Sequence, residues 1–210
     1  MWKKIMALAV LPALFLVGGC GSAKKDAAPA AKPANTTAAA TGTSQGSLES
    51  LKGKKVLVAY FSYSGNTRKL AETVHNKVGG DMFEITTVKP YAAKYDDCVE
   101  YAKKEKADKG RPELKSKVAN MQQYDVIFLG FPVWWYTLPM PVYTFLESYD
   151  LAGKTIVPFM THGGGGEYNC FKDVANEAPK AKTLGGLCLP GGSVNNAGGD
   201  VDTWLKGLKF

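Results

Sequence analysis

The sequence predicts an α/β fold, a three-layer sandwich in which helices cover both faces of a five-stranded parallel sheet. Short apolar runs of the kind buried on both faces alternate with helix-patterned stretches. The alternation extends over 51–210, and polar or glycine-rich loops follow the strands. A length of 210 residues, with 45% hydrophobic and 21% charged residues, suits one domain with a full core and excludes a large second substrate domain.

Lys55 to Phe61 (KVLVAYF) is β-branched and aromatic and reads as the first strand. A tight polar loop leads into a helix over Arg68 to Val78, with Leu70, Ala71, Val74 and Val78 at helical spacing and Gly79-Gly80 as its stop. Met82 to Val88 is the second strand. The long stretch between Val88 and Tyr124 is charged and weakly patterned and receives no element, though Asp96 to Pro112 within it is long enough to shape a substrate pocket. Tyr124 to Phe131 (YDVIFLGF) is the third strand, Leu138 to Tyr149 a helix, Lys154 to Thr161 the fourth strand and Glu167 to Ala178 another helix. Thr183 to Leu189 makes a fifth strand weakened by Gly185-Gly186. Val201 to Leu208 is a short closing helix with Trp204 as its core anchor.

The first 50 residues have a different character. Lys3-Lys4, an apolar run from Ile5 to Val17 and Gly18-Gly19-Cys20 make a signal peptide over 1–19, too short for a comfortable transmembrane helix. Small residues before the cysteine resemble the lipobox of bacterial lipoproteins, which implies a lipidated Cys20 and a protein held on the extracytoplasmic side of a bacterial membrane. An ordinary secretory signal with an incidental cysteine is the alternative. Residues 20–50 read as a disordered tether rich in Ala, Thr, Lys and Pro, with a root-mean-square reach of roughly 30 Å. The formal charge of +7 belongs largely to this part. Five lysines face only Asp26 and Glu49 there, so residues after 50 carry 21 basic and 17 acidic side chains, a net +4. So mild a balance gives no argument for a nucleic-acid partner.

Ligands of a parallel sheet sit outside the carboxyl ends of its strands. Ser62-Tyr63-Ser64-Gly65-Asn66-Thr67 offers three hydroxyls, an amide, a glycine and the free N–H groups of a helix N-terminus, a cradle of neutral donors for a terminal phosphate. Ser64 or Thr67 would equally serve as an ordinary N-cap. The spacing excludes a P-loop and a dinucleotide Gly-x-Gly-x-x-Gly. Pro132-Val133-Trp134-Trp135-Tyr136 sets three aromatics past the third strand, either as flat walls for an aromatic ring or as packing for a helix. Thr161-His162-Gly163-Gly164-Gly165-Gly166-Glu167 carries four consecutive glycines, whose N–H groups could donate to a ligand's polar edge. No residue spacing suggests a metal.

Together, these three segments resemble the FMN-binding segments of the flavodoxin family, and most closely those of its short bacterial domains. The resemblance covers nearly all of 51–210 and implies strand order 2-1-3-4-5 and FMN as cofactor. It gives Ser62, Ser64, Gly65, Asn66 and Thr67 to the phosphate, with Tyr63 adjacent. Pro132, Val133, Trp134 and Trp135 would border the ribityl chain and ring, and Thr161, His162, Gly163 and Gly164 the ring's polar edge. The function implied is electron transfer to redox partner proteins or small acceptors, with no catalytic side chain. An NAD(P)H-dependent FMN or quinone reductase of similar fold is the alternative.

A mild +4 lacks the acidic field that steers well-known flavodoxins to basic partners. His162, if cationic, would raise the flavin potential; the other reading is a neutral loop histidine bonded to backbone. Arg68 would add charge near the phosphate or point to water, and His75 is expected in solvent. Cys98, Cys170 and Cys188 are an odd number, so at most one intramolecular pair can form. Cys170 reads as a buried helix cysteine, with exchange at the flavin as the other possibility.

Overall fold

The computed structural model describes residues 46–210. The signal peptide, Cys20 and the tether up to residue 45 lie outside the described residues. The last tether residues, expected without structure, form a helical turn, α1 (Gly46–Glu49), beside the C-terminal helix, and Leu51 is buried.

Five parallel strands form the sheet in the order β2 (Asp81–Glu84), β1 (Val56–Tyr60), β3 (Val126–Pro132), β4 (Thr155–His162) and β5 (Lys182–Thr183). The predicted order is therefore correct. The expected fifth strand is split: β5 pairs with the start of β4, and a further strand, β6 (Leu187–Pro190), pairs with its end. Leu184-Gly185-Gly186 breaks the ladder between them, because glycine weakens a strand interior.

Side-chain alternation distributes the apolar strand residues between two cores. Leu57, Ala59, Ile127, Leu129, Ile156 and Met160 face α4 (Met140–Glu147) and α5 (Cys170–Glu177) through Val142, Phe145 and Val174. Val56, Val58, Phe128, Val157 and Phe159 face α2 (Asn66–Val78) and α6 (Gly198–Gly207) through Leu70, Val74, Val201 and Leu205. Gly130 leaves room for Phe159, whose ring would lie 2.3 Å from any added Cβ. Trp204 packs edge-on against Phe128 and also meets Phe159, as expected of an anchor.

The segment left unassigned contains a thirteen-residue helix, α3 (Tyr95–Ala107), packed beside α4. Its buried positions are Cys98, Ala102 and Glu105, at helical spacing but with a small residue and a carboxylate where a sequence pattern needs large apolar ones. The second strand ends at Glu84 rather than Val88, and the tail of that prediction instead makes an isolated antiparallel bridge, Thr87 to Leu114.

Candidate functional site

The phosphate-like cradle is built by the turn between β1 and α2. Gly65 is the N-cap of α2 at φ 92°, a left-handed conformation natural to glycine, and it contributes no side chain to cap the helix. Ser62 Oγ instead accepts from Arg68 N (3.2 Å), leaving the first N–H groups of the helix for a ligand. Thr67 is buried, and its hydroxyl shares a 2.8 Å hydrogen bond with that of Thr161, tying the start of α2 to the end of β4. Arg68 turns away from the cradle to pair with Glu84. His75 is half-buried rather than solvated, with Nε2 3.0 Å from Gly80 O.

A cleft of about 390 Å³ opens above these strand ends. Of the residues predicted, Tyr63, Ser64 and Asn66 line one end, Pro132, Val133 and Trp134 one wall, and Thr161, His162, Gly163 and Gly164 the other. Ser62, Gly65 and Thr67 shape the turn without lining the cleft, and Trp135 lines the adjoining cavity. A Cβ added at Gly163 or Gly164 would meet nothing within 4 Å, so the backbone is open there, whereas one at Gly165 would lie 1.9 Å from the Tyr168 hydroxyl.

Trp134 is held by an aromatic cluster. Phe61, Tyr63 and Tyr91 meet its ring edge-to-face at 5.2, 5.9 and 4.9 Å. Tyr63 also donates to Ala92 O (2.8 Å), fixing its ring against the segment before α3. Tyr91 in turn donates to the buried Glu105 carboxylate at 2.5 Å. Burial holds the Glu105 carboxyl above the usual carboxylate range, an effect the Tyr91 hydroxyl offsets in part.

Trp135 and Tyr136 form a two-residue hairpin turn closed by reciprocal hydrogen bonds between Trp134 and Thr137, both 3.1 Å. Both turn residues have positive φ, 48° and 70°, in positions that hairpins usually give to Asn and Gly. Tertiary bonds hold this strained backbone: Trp135 Nε1 donates to Val99 O (2.9 Å), and Lys106 Nζ donates to Trp135 O (2.5 Å).

His162 Nδ1 accepts from Gly164 N (3.0 Å), the bond to backbone expected of a loop histidine. Cys170 is fully buried, and its thiol is pushed up to about 12 by burial, with the Asp173 and Glu167 carboxylates adding to the shift. It therefore stays a thiol at neutral pH, and it lines neither the cleft nor the adjoining cavity. Cys98, Cys170 and Cys188 are all free.

Sequence reasoning missed three contributors. Pro190, Gly191 and Gly192 line the cleft beside the β1–α2 turn, with Asn66 lying against Gly191; the strand-end rule applied to β6 would have found them. Tyr95 depends on the unrecognised α3. Tyr168, at φ 54°, meets Tyr136 at 4.8 Å, and no local signal marks it.

Residues 55–207 match the family model described as Flavodoxin. A solved flavoprotein from Bacteroides uniformis is 36% identical, with 73% of this chain and 99% of that one covered and a TM-score of 0.65. One from Bacteroides eggerthii is 34% identical over 73% of this chain and 96% of that one, also at 0.65. A flavoprotein from Lactobacillus acidophilus, solved in complex with FMN, shares the fold at 22% identity and a TM-score of 0.58, covering 68% and 97% of the two chains. No curated protein matches the chain. The family match over most of the chain and identities above one third to flavoproteins of nearly the same domain length lead to one conclusion: the chain belongs to the flavodoxin family.

Proposed function

We propose that the protein binds FMN and acts as an electron-transfer flavoprotein, tethered through a lipidated Cys20 to the extracytoplasmic face of a bacterial membrane. The observation that carries the cofactor is the cleft itself, with neutral donors and a helix N-terminus at one end and an aromatic wall facing an open glycine backbone at the other. The FMN complex of the Lactobacillus relative supports the choice of flavin. Bound FMN would supply one- or two-electron transfer. Ser64, Asn66 and the α2 amides would hold its phosphate, Trp134 would exclude water from one side of the ring, and the N–H group of Gly163 would meet its polar edge.

A visible spectrum of the purified protein after incubation with FMN and removal of excess tests this reading. Flavin bands that persist in one-to-one ratio are expected, and their absence would overturn it. The tether rests on residues 1–20, and no helix among the described residues is long and apolar enough to cross a membrane. Cys20→Ser should move the protein from the membrane fraction to the soluble one. The reductase alternative draws support from α3, which walls a cavity next to the cleft. Rapid mixing with NAD(P)H separates the two, since a carrier is not reduced directly at useful rates.

A further inference from the structure

The two ends of the sheet differ in charge. No Lys, Arg, Asp or Glu lines the cleft at the carboxyl ends of the strands, whereas lysines gather at the amino ends. Asp125 N donates to Lys55 O (2.9 Å), Thr155 N to Asp125 O (2.9 Å) and Lys182 N to Lys154 O (2.8 Å), which puts Lys55 and Lys182 where β1 and β5 begin. Gly153 N donates to Lys180 O (3.1 Å), and Lys182 Nζ donates to Lys209 O (3.0 Å), tying the start of β5 to the segment after α6. Lys206 lies in the last turn of α6, and α1, shortly before Lys54, packs beside that helix.

Lys54, Lys55, Lys180, Lys182, Lys206 and Lys209 are all exposed, and none has an acidic partner among the described residues. The acids at this end are engaged elsewhere. Glu49 pairs with Lys52 and Asp202 with Lys77, while Asp81 accepts from the Tyr124 hydroxyl (2.7 Å). Asp125 and Asp150 accept the backbone N–H groups of Lys55 (2.8 Å) and Ala152 (3.1 Å), and Glu177, ending α5, shares the field of Arg111. Six unpaired cations exceed the net +4 of the residues after 50, so the positive charge of the domain is concentrated opposite the cleft. The chain also enters at this end: α1 starts at Gly46, 26 positions after Cys20.

We infer that the lysine-rich end docks on an anionic lipid surface, that of the membrane holding Cys20. The choice of membrane rests on the anchor reading; the affinity for anionic lipid does not. A tether reaching roughly 30 Å keeps the domain at about millimolar effective concentration beside the headgroups, so contacts that are weak singly suffice. Each lysine near an anionic leaflet strengthens binding by about fivefold. β4 runs from this end to His162 in the cleft, eight residues or roughly 26 Å. Docking through the lysines therefore turns the cleft away from the lipid, toward soluble donors and acceptors.

The processed chain, residues 20–210 with Cys20→Ser and hence no lipid, tests the docking by co-sedimentation with vesicles. Vesicles with roughly one-third phosphatidylglycerol should bind it at least about tenfold more tightly than pure phosphatidylcholine, and salt should shrink the difference. The side chains of Lys54, Lys206 and Lys209 make no hydrogen bond or ion pair among the described residues, so Lys54→Glu/Lys206→Glu/Lys209→Glu should abolish the preference at an unchanged Tm. Acetylation of the lipidated wild-type protein, read by mass spectrometry, needs no variant. The six lysines should react about fivefold more slowly on phosphatidylglycerol vesicles than on phosphatidylcholine ones, with Lys69 and Lys103 unchanged. Equal binding to both vesicles, or six lysines as reactive as Lys69 and Lys103, would overturn the inference. Protection by polyglutamate but not by vesicles would overturn it too, and assign this end to an acidic protein. Lipidated protein held on vesicles with these lysines unprotected keeps the anchor and sinks the docking; charge-dependent binding by a protein whose Cys20 carries no lipid in cells does the reverse.

Discussion

The two ends of the cleft are made by opposite means. The end at Ser64 and Asn66 is local, a six-residue turn whose shape follows from one glycine at positive φ, a serine bonded to a helix N–H six residues on, and a threonine pair. The aromatic end is assembled from distant segments: Trp134 leans on Phe61, Tyr63 and Tyr91, Tyr91 on Glu105, and the strained turn on α3. A local site is written in consecutive residues, whereas an assembled one depends on every segment that supports it.

The sharpest way to break this contrast is Trp134→Ala. Removing a half-buried ring that three aromatics meet should cost about 2–4 kcal/mol in denaturant unfolding and lower FMN affinity as well. At the local end, Thr67→Val orphans the buried Thr161 hydroxyl and should cost ~1–3 kcal/mol, while Thr67→Val/Thr161→Val should recover most of it. A double variant no more stable than the single one would show that the pair is not what joins α2 to β4. Gly65→Ala meets no atom within 4 Å, so its cost is backbone strain alone, about 1–2 kcal/mol by thermal unfolding.

Glu105 gives the assembled end a pH dependence. Its folded pKa is raised, so its contribution to stability is full below the ordinary carboxylate pKa and is lost as pH rises through the raised value. Glu105→Gln can still accept from Tyr91, and should stabilise the fold by about 1 kcal/mol at pH 7.5 and by almost nothing at pH 4. Equal gains at both pH values would remove the carboxylate's charge as the cause. The smallest expected effect is on Cys170: iodoacetamide at pH 7.5 should leave it unmodified in the native state, since it is buried and remains a thiol.

The same contrast governs what could be read from the sequence. β1, β3 and β4 were legible because strands buried on both faces are continuous apolar runs, and the loops following them identified the cleft. α3 was not legible, because Cys98, Ala102 and Glu105 carry its burial and none of them marks a stripe; the carboxylate is tolerated only because Tyr91 reaches it. Thr67 was legible as a member of the loop, but not its turning inward, which needs Thr161 from 94 positions later. Tyr168 joins the site only through a tertiary neighbour, Tyr136.

The split last strand has a consequence for the company the domain keeps. Beyond β4 the sheet presents two residues of β5, a break, and the four of β6, and at the break the Trp204 indole already donates to Gly185 O at 2.9 Å. An incoming strand needs a continuous row of free amides and carbonyls, and this border offers it only in fragments. Copies crowded on one surface would thus find no long template along this border for joining sheet to sheet.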